Sequence, residues 1–217
     1  MQVLAVDVGG RHVKALVQGE TERRRFRSGP DLTPERMVAG TLELVDDWQF
    51  DRVSIGVPAP VTGGVVGREP VNLGTGWKGF DFEAAFGRPT KVVNDALMQA
   101  IGSYEGGRML YLGLGTGLGS AMIVEDTIVP MELAHLPFRR ATFEDYVGRA
   151  GRVRLGPKRW RQAVLETVEH LTAALLPDYV VVGGGLADEL SALGALPGEV
   201  RVGGNELAFV GGFRLWA

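Results

Sequence analysis

Three times in this chain a short apolar run ends in clustered glycines. Gln2 to Asp7 runs into Gly9-Gly10, Arg108 to Leu112 into the segment Gly113 to Gly119, and Tyr179 to Val182 into Gly183-Gly184-Gly185. Such a run, closed by glycine, reads as a buried strand followed by a tight turn. Glycine accounts for 32 of 217 residues, about twice the usual share of roughly 7%. Many backbone positions must therefore turn tightly or approach something closely. The length suits one large domain or two smaller ones of about 100 residues, each able to bury a core.

The segments between these turns alternate in type. His12 to Val17 reads as a second strand and Thr21 to Arg27 as a charged edge strand. Thr33-Pro34-Glu35 starts a helix, a capping hydroxyl followed by proline, and Val38, Leu42 and Val45 recur at helical spacing. Arg52 to Val57 is a strand ending in Pro58-Ala59-Pro60. Asp81 caps a short helix ended by Gly87, Lys91 to Val93 is a strand with Asn94-Asp95 at its end, and Ala96 to Tyr104 is a helix. Arg108 to Leu112 and Ser120 to Val124 flank a glycine-rich turn. Trp160 to Leu176 is the longest helix, with Val164, Val168, Leu171 and Leu175 on one stripe. A last helix is expected to begin near Asn205. Strands alternating with helices predict an α/β class with mixed sheets.

One faint repeat is visible. Leu4 to Gly10 followed by Val13 to Val17 is strand, glycine turn, strand; so is Leu110 to Thr116 followed by Ser120 to Val124. Two halves built alike would set two glycine turns on opposite sides of one cleft, although any β-hairpin can produce the pattern.

Composition removes several functions. With no cysteine there is no disulfide framework, thiol nucleophile, iron–sulfur cluster or cysteine-ligated zinc. Three histidines, His12, His135 and His170, argue against a histidine-rich metal site. A net charge of −3 argues against a general nucleic-acid binder. The start, Met1 to Asp7, has no basic region, which argues against a signal peptide, and no run of 18 apolar residues suits a membrane span. The expectation is a soluble cytoplasmic protein.

Glycine-rich turns suggest phosphate binding, but two common motifs fail. The Walker A loop needs Gly-Lys, and Lys14, Lys78, Lys91 and Lys158 follow Val13, Trp77, Thr90 and Pro157. The dinucleotide fingerprint needs a third glycine where Leu118 stands. What remains is a cradle of backbone N–H groups, which binds anions without side chains; Gly113 to Gly119 suits it, with a plain hairpin loop as the alternative. Asp7 ends a buried strand, and a carboxylate beside a phosphate site would hold Mg²⁺, directly or through water. Lys14 would stabilise a phosphate or Asp7, or stand as a solvated strand residue.

These residues resemble the ROK sugar kinases, and within them the short polyphosphate/ATP glucokinases. The resemblance rests on Asp7-Val8-Gly9-Gly10 with Lys14, Asn72 with Trp77 and Gly79, Gly87-Arg88-Pro89 leading to Val93-Asn94-Asp95-Ala96, Leu114 to Ser120, Glu132-Leu133-Ala134-His135, and Leu176-Pro177-Asp178 running into Gly183-Gly184-Gly185. It implies an actin-like, ribonuclease-H-like ATPase fold: two lobes with mixed sheets around a central cleft. The lobes are expected at residues 1–107 and 108–217, with the last helix returning to the first. It implies transfer of a phosphoryl group from polyphosphate or ATP to a hexose, at the 6-hydroxyl in glucokinases.

The resemblance also implies roles. Asp95 would be the general base. Asn72, Asn94, Glu132, His135 and, on a looser match, Glu144 would bind the sugar. Asp7, Gly9, Gly10, Arg11 and Lys14 form the first phosphate motif, Gly115, Thr116 and Gly117 the second, and the nucleotide would sit near Gly183, Gly184 and Gly185. The family is commonly dimeric. The chemistry agrees: a hydroxyl nucleophile needs a base within reach, although Asn94-Asp95 also suits a helix N-cap.

Three departures stand out. Arg11 replaces the family's Thr or Ser, and would either clamp phosphate oxygens or obstruct them. Ala134 replaces a glycine, a change that matters only where φ is positive. The zinc-binding cysteines of many ROK proteins are absent, so His135 reads as a sugar contact and no zinc is expected. Arg149, Arg152, Arg154, Lys158, Arg159 and Arg161, preceded by Arg139 and Arg140, form either a polyphosphate track or a solvated loop and helix face. Two rival readings are a non-catalytic sugar-binding or regulatory protein on this scaffold, and a kinase for mannose, fructose or an N-acetylated amino sugar.

Overall fold

The computed structural model describes residues 2–191, 196, 198–204 and 206–217. The chain divides into two units, Met1–Gly102 with Glu206–Ala217, and Ser103–Asn205.

The first unit is built on the strand β1 (Val3–Val8), buried throughout. Strand β2 (His12–Val17) returns antiparallel to it and alternates: Val13, Ala15 and Val17 are buried, whereas His12, Lys14 and Leu16 are half-buried. That period of two gives β2 one core face. Strand β3 (Arg24–Arg27) pairs with β2 at the sheet edge. Helix α1 (Pro34–Leu44) starts as expected, with Thr33 Oγ1 accepting from the Arg36 amide. Its buried stripe is Pro34, Met37, Val38 and Thr41, continued by Val45. Leu42, expected on that stripe, is exposed. At 100° per residue Thr41 continues the line of Met37 and Val38, and its hydroxyl is sated by Met37 Sδ at 3.5 Å.

Strand β4 (Arg52–Val57) runs parallel to β1. A small ribbon follows, β5 (Val61–Thr62) with β6 (Val65–Val66). Helix α2 (Phe82–Phe86) is capped by Asp81, whose Oδ1 accepts from the Ala84 amide at 2.9 Å, and is closed by Gly87 at φ 61°. Strand β7 (Thr90–Asn94) runs parallel to β4 and passes directly into helix α3 (Asp95–Ser103). The sheet order is β3-β2-β1-β4-β7.

The second unit opens on β8 (Arg108–Leu114) and β9 (Leu118–Val124). Both are longer than expected. Gly113 and Gly119 pair across the ladder, so the turn itself is only Gly115, Thr116 and Gly117. Strand β10 (Thr127–Met131) continues the meander, and a ribbon of β11 (Pro137–Phe138) with β12 (Ala141–Thr142) leads to α4 (Phe143–Val147). Helix α5 (Arg149–Leu175) begins well before Trp160, where the sequence pattern placed it. Its backbone is broken at Gly156 (φ 72°, ψ 167°), and Pro157 opens the second segment. Val164, Val168 and Leu171 are buried as expected, with Leu175 packed at the margin. Strand β13 (Tyr179–Gly183), helix α6 (Asp188–Ser191) and strand β14 (Val200–Val202) complete the unit, in the order β10-β9-β8-β13-β14.

Each five-stranded sheet is therefore mixed, with antiparallel pairs on one side of its first strand and parallel pairs on the other. The faint repeat is realised as one topology used twice.

The expected start of the last helix, Asn205, lies outside the described residues; the helix α7 spans Leu207–Arg214 and belongs to the first unit. It crosses α3 at two glycines. A Cβ on Gly102 would strike the Leu207 carbonyl, and one on Gly211 the Met98 carbonyl. Ser54 Oγ donates to Gly212 O at 2.6 Å and accepts from Trp216 Nε1 at 2.9 Å. Arg52 and Lys91 lie over the Trp216 ring. No helix among the described residues is long and apolar enough to cross a membrane.

Candidate active site

The first glycine turn joins β1 to β2. The Gly9 amide donates to His12 O at 3.0 Å, which closes the turn. Its outer side is clasped by Ser28 just beyond β3: the Ser28 amide donates to Arg11 O at 3.0 Å and its hydroxyl to Gly9 O at 2.5 Å. Arg11 is exposed, and Asn72 lies against Gly10, where an added Cβ would meet Asn72 Cβ at 3.5 Å. Asp7 and Lys14 are opposite each other in the register, and Lys14 Nζ donates to Asp7 Oδ2 at 2.9 Å. Asp7 is buried, so this pair is shielded from solvent screening.

Asp95 begins α3 immediately after β7. Its Oδ1 accepts from the Ala96 amide at 2.9 Å. Burial, and then the negative charge of Asp7, push its carboxyl up to about 6, against the opposing pull of the Ala96 amide. A carboxylate poised there is suited to take a proton near neutral pH. Asn94 serves as the helix cap: its Oδ1 accepts from Ala96 (3.0 Å) and Leu97 (3.2 Å), while Nδ2 donates to Ala59 O (3.2 Å). One amide hydrogen of Asn94 is left for another acceptor.

In the second unit the glycine turn and the Glu132–His135 segment meet at α4. The Gly115 amide donates to Gly117 O at 3.0 Å, and the Leu118 amide to Glu144 Oε2 at 3.2 Å. At the start of α5 the Arg149 amide binds Gly115 O (3.0 Å) and Thr116 O (3.2 Å). Glu144's own amide donates to Ala134 O at 3.1 Å, which ties the segment carrying Glu132 and His135 to the same helix. Glu132 and His135 are exposed, with Oε1 and Nε2 3.9 Å apart. Ala134 is not among the residues with positive φ, so its side chain costs no strain. The triple glycine lies beside this turn: the Leu186 amide donates to Leu114 O at 3.0 Å, and Gly184, at φ 85°, packs against the Leu114 backbone.

The structure thus groups Asp7, Gly9, Gly10, Arg11, Lys14, Asn72, Asn94 and Asp95 in the first unit. The second holds Gly115, Thr116, Gly117, Glu132, His135, Glu144 and Gly183 to Gly185. Three of the cations the sequence grouped around the start of α5 have partners. Arg152 pairs with Glu189 at 2.6 Å, Arg139 with Glu166, and Arg154 donates to Asp145 O at 2.6 Å. The grip of Glu144 on the Leu118 amide was not foreseen. The hint was the spacing Thr142 to Asp145, a capping box that starts α4 and aims Glu144 at the turn. Among the described residues no three potential ligands cluster around a metal position. Asp7, the carboxylate that the sequence offered for a cation, has one oxygen engaged by Lys14.

No family model matches the chain. The fold is nevertheless that of the ROK sugar kinases, which are actin-like ATPase-fold proteins. A ROK family glucokinase from Streptomyces griseus, solved with glucose and AMPPNP, matches with a TM-score of 0.77 at 18% identity, over 99% of each chain. Within that class the likeness extends to proteins named for polyphosphate. An inorganic polyphosphate/ATP-glucomannokinase from Arthrobacter sp. strain KM matches with a TM-score of 0.83 at 25% identity, over 97% of this chain and 96% of the other. The polyphosphate glucokinase of Mycobacterium tuberculosis is 27% identical over 206 residues, covering 84% of this chain and 77% of that protein. The resemblance read from the motifs is borne out.

Proposed function

We propose that this chain is a hexose kinase that transfers a phosphoryl group from polyphosphate or ATP to the 6-hydroxyl of glucose. The observation that carries this reading is Asp95, a strand-end carboxylate raised to about 6 by burial and by Asp7. Asp95 takes the proton of the attacking hydroxyl, the sugar oxygen bonds to the terminal phosphorus, and ADP or the shortened polyphosphate leaves. Such transfer needs positioning and charge stabilisation more than covalent chemistry. Asn72, Asn94, Glu132, His135 and Glu144 are the proposed sugar ligands. The proposed phosphate ligands are Gly9, Gly10, Arg11 and Lys14 in one unit and Gly115 to Gly117 in the other, with Gly183 to Gly185 beside a nucleotide.

Mg²⁺ uses one or two carboxylates and completes its shell with water and phosphate oxygens, so a single free oxygen on Asp7 fits it. When bound, the ion neutralises charge on the phosphates. We also take the protein to be cytoplasmic, and a homodimer because the family its motifs resemble is commonly dimeric.

Arg11, exposed at the turn where the family pattern has Thr or Ser, favours a second reading: a sugar-binding regulator that does not turn over. Glucose, mannose, fructose and N-acetylated amino sugars, each offered with ATP and with polyphosphate, separate the two. The kinase reading expects phosphorylated glucose with at least one donor. Sugar binding with no phosphorylated product from any combination supports the regulator instead.

A further inference from the structure

On the sheet face that carries Asp7, strand β2 presents His12 and Lys14, and β3 presents Arg27 and Arg25 directly opposite them. Residues opposite each other in a ladder share a face. The two rows are thus His12 with Arg27 and Lys14 with Arg25. Lys14 and Arg25, like charges so placed, repel. Asp7 answers Lys14, but Arg25 and Arg27 are exposed and form no ion pair among the described residues. Arg24, on the opposite face, differs: it pairs with Asp47 and lies over Trp48. Edge protection accounts for charge on β3, but not for Arg25 set opposite Lys14 with Arg27 beside it on the same face.

The stripe is also continuous with the first glycine turn. Ser28, next to Arg27, is bonded through its amide and hydroxyl to Arg11 O and Gly9 O. Arg11 and Arg27 therefore flank the turn, and Arg25 stands about 6.6–6.8 Å further along the strand. Of the α5 cations, which the sequence offered as a track, Arg152 is paired with Glu189 and Arg154 donates to the Asp145 carbonyl, while Arg139 ahead of the helix is paired with Glu166.

We propose that Arg11, His12, Arg27 and Arg25 form a binding track for the distal phosphates of an inorganic polyphosphate chain whose reacting end lies at the Gly9-Gly10 turn. This rests on the kinase reading for the identity of the turn. A triphosphate presents fewer phosphates to these cations than a long chain does, so the track discriminates by chain length.

The test is direct binding of long-chain polyphosphate, measured by titration calorimetry on the full chain without sugar. Arg25→Gln/Arg27→Gln is expected to weaken binding about tenfold at low salt and to lower the log–log salt slope by about one per cation removed. Tripolyphosphate binding is expected to change less than about twofold. Arg25→Lys/Arg27→Lys keeps the charge and recovers most of the affinity, and Lys158→Gln/Arg159→Gln on α5 binds like the wild type. Wild-type affinity in Arg25→Gln/Arg27→Gln overturns the proposal, as does loss in the α5 variant alone. Equal binding of a single-stranded oligonucleotide of matched charge, lost in the same variant, makes the stripe a general polyanion surface and also overturns it. Failure of the kinase reading shows separately, as absence of phosphorylated sugar with either donor.

Discussion

The carboxylate of Glu144 occupies the space a side chain at Gly117 would need: a Cβ built on Gly117 would overlap Glu144 Oε2. That same oxygen holds the Leu118 amide at 3.2 Å. Gly117→Ala should therefore expel the carboxylate and loosen the turn. We expect donor KM to rise about tenfold and the melting temperature to fall by several degrees, because one hydrogen bond to a charged group is worth roughly 1.5–3 kcal/mol and each kcal/mol shifts the midpoint of a chain this size by roughly 2–4 °C. Glu144→Ala removes the same contact, so the double variant should be less than additive in donor KM. Additive losses would show that the two residues act separately.

Lys14 Nζ donates to Asp7 Oδ2, and the charge of Asp7 helps to raise the Asp95 carboxyl. With Asp95 as base, activity should fall as the pH drops through about 6, where its carboxyl gains a proton. Lys14→Met leaves Asp7 uncompensated and raises the Asp95 carboxyl further. The acid limb of the kcat/KM profile should then move to higher pH by up to about one unit. A limb that stays in place would detach Lys14 from the proton transfer.

The raised carboxyl has a thermodynamic sign as well. Asp95 protonates near 6 in the folded chain and near ~3.9 when unfolded. Between those values the folded state binds more protons, so stability falls as pH rises from about 4 to about 6. The cost is complete above that window and absent below it. Asp95→Asn keeps an acceptor for the Ala96 amide and removes the charge. It should be more stable than the wild type by about 1–3 kcal/mol at pH 8, with the difference vanishing near pH 4. Denaturant titrations at both pH values check this.

Gly211 permits α7 to lie on α3, since a Cβ there would penetrate the Met98 carbonyl. Backbone cannot yield as a flexible side chain can. Gly211→Ala should cost about 3 kcal/mol or more, read as a fall in the denaturation midpoint. An unchanged midpoint would mean that α7 docks without this close approach.

Much of this was legible in local patterns. Thr33-Pro34, Asp81 with Gly87, and the glycines closing β1 and β13 each carry their meaning within a few residues. The rest depended on distance in the chain or on competing signals. Gly156-Pro157 interrupted the periodicity that would have carried α5 back to Arg149. The two-residue ribbons β5–β6 and β11–β12 are too short for any period to show. In α1, a polar Thr41 took the core position that hydrophobicity assigned to Leu42. For the candidate site, residue types and turns were readable, but environment was not. Asp95 is tuned by Asp7, which only the neighbouring placement of β1, β4 and β7 brings near. Arg25 and Arg27 read merely as a charged edge until the register set them opposite Lys14 and His12.

The most direct test is steady-state turnover of Asp95→Asn with glucose, using ATP and polyphosphate separately, alongside glucose affinity measured by binding. Loss of the proton acceptor should lower kcat by about 10²–10⁴ while sugar affinity changes little. A variant that phosphorylates glucose at the wild-type rate would contradict the assignment of Asp95 as the base.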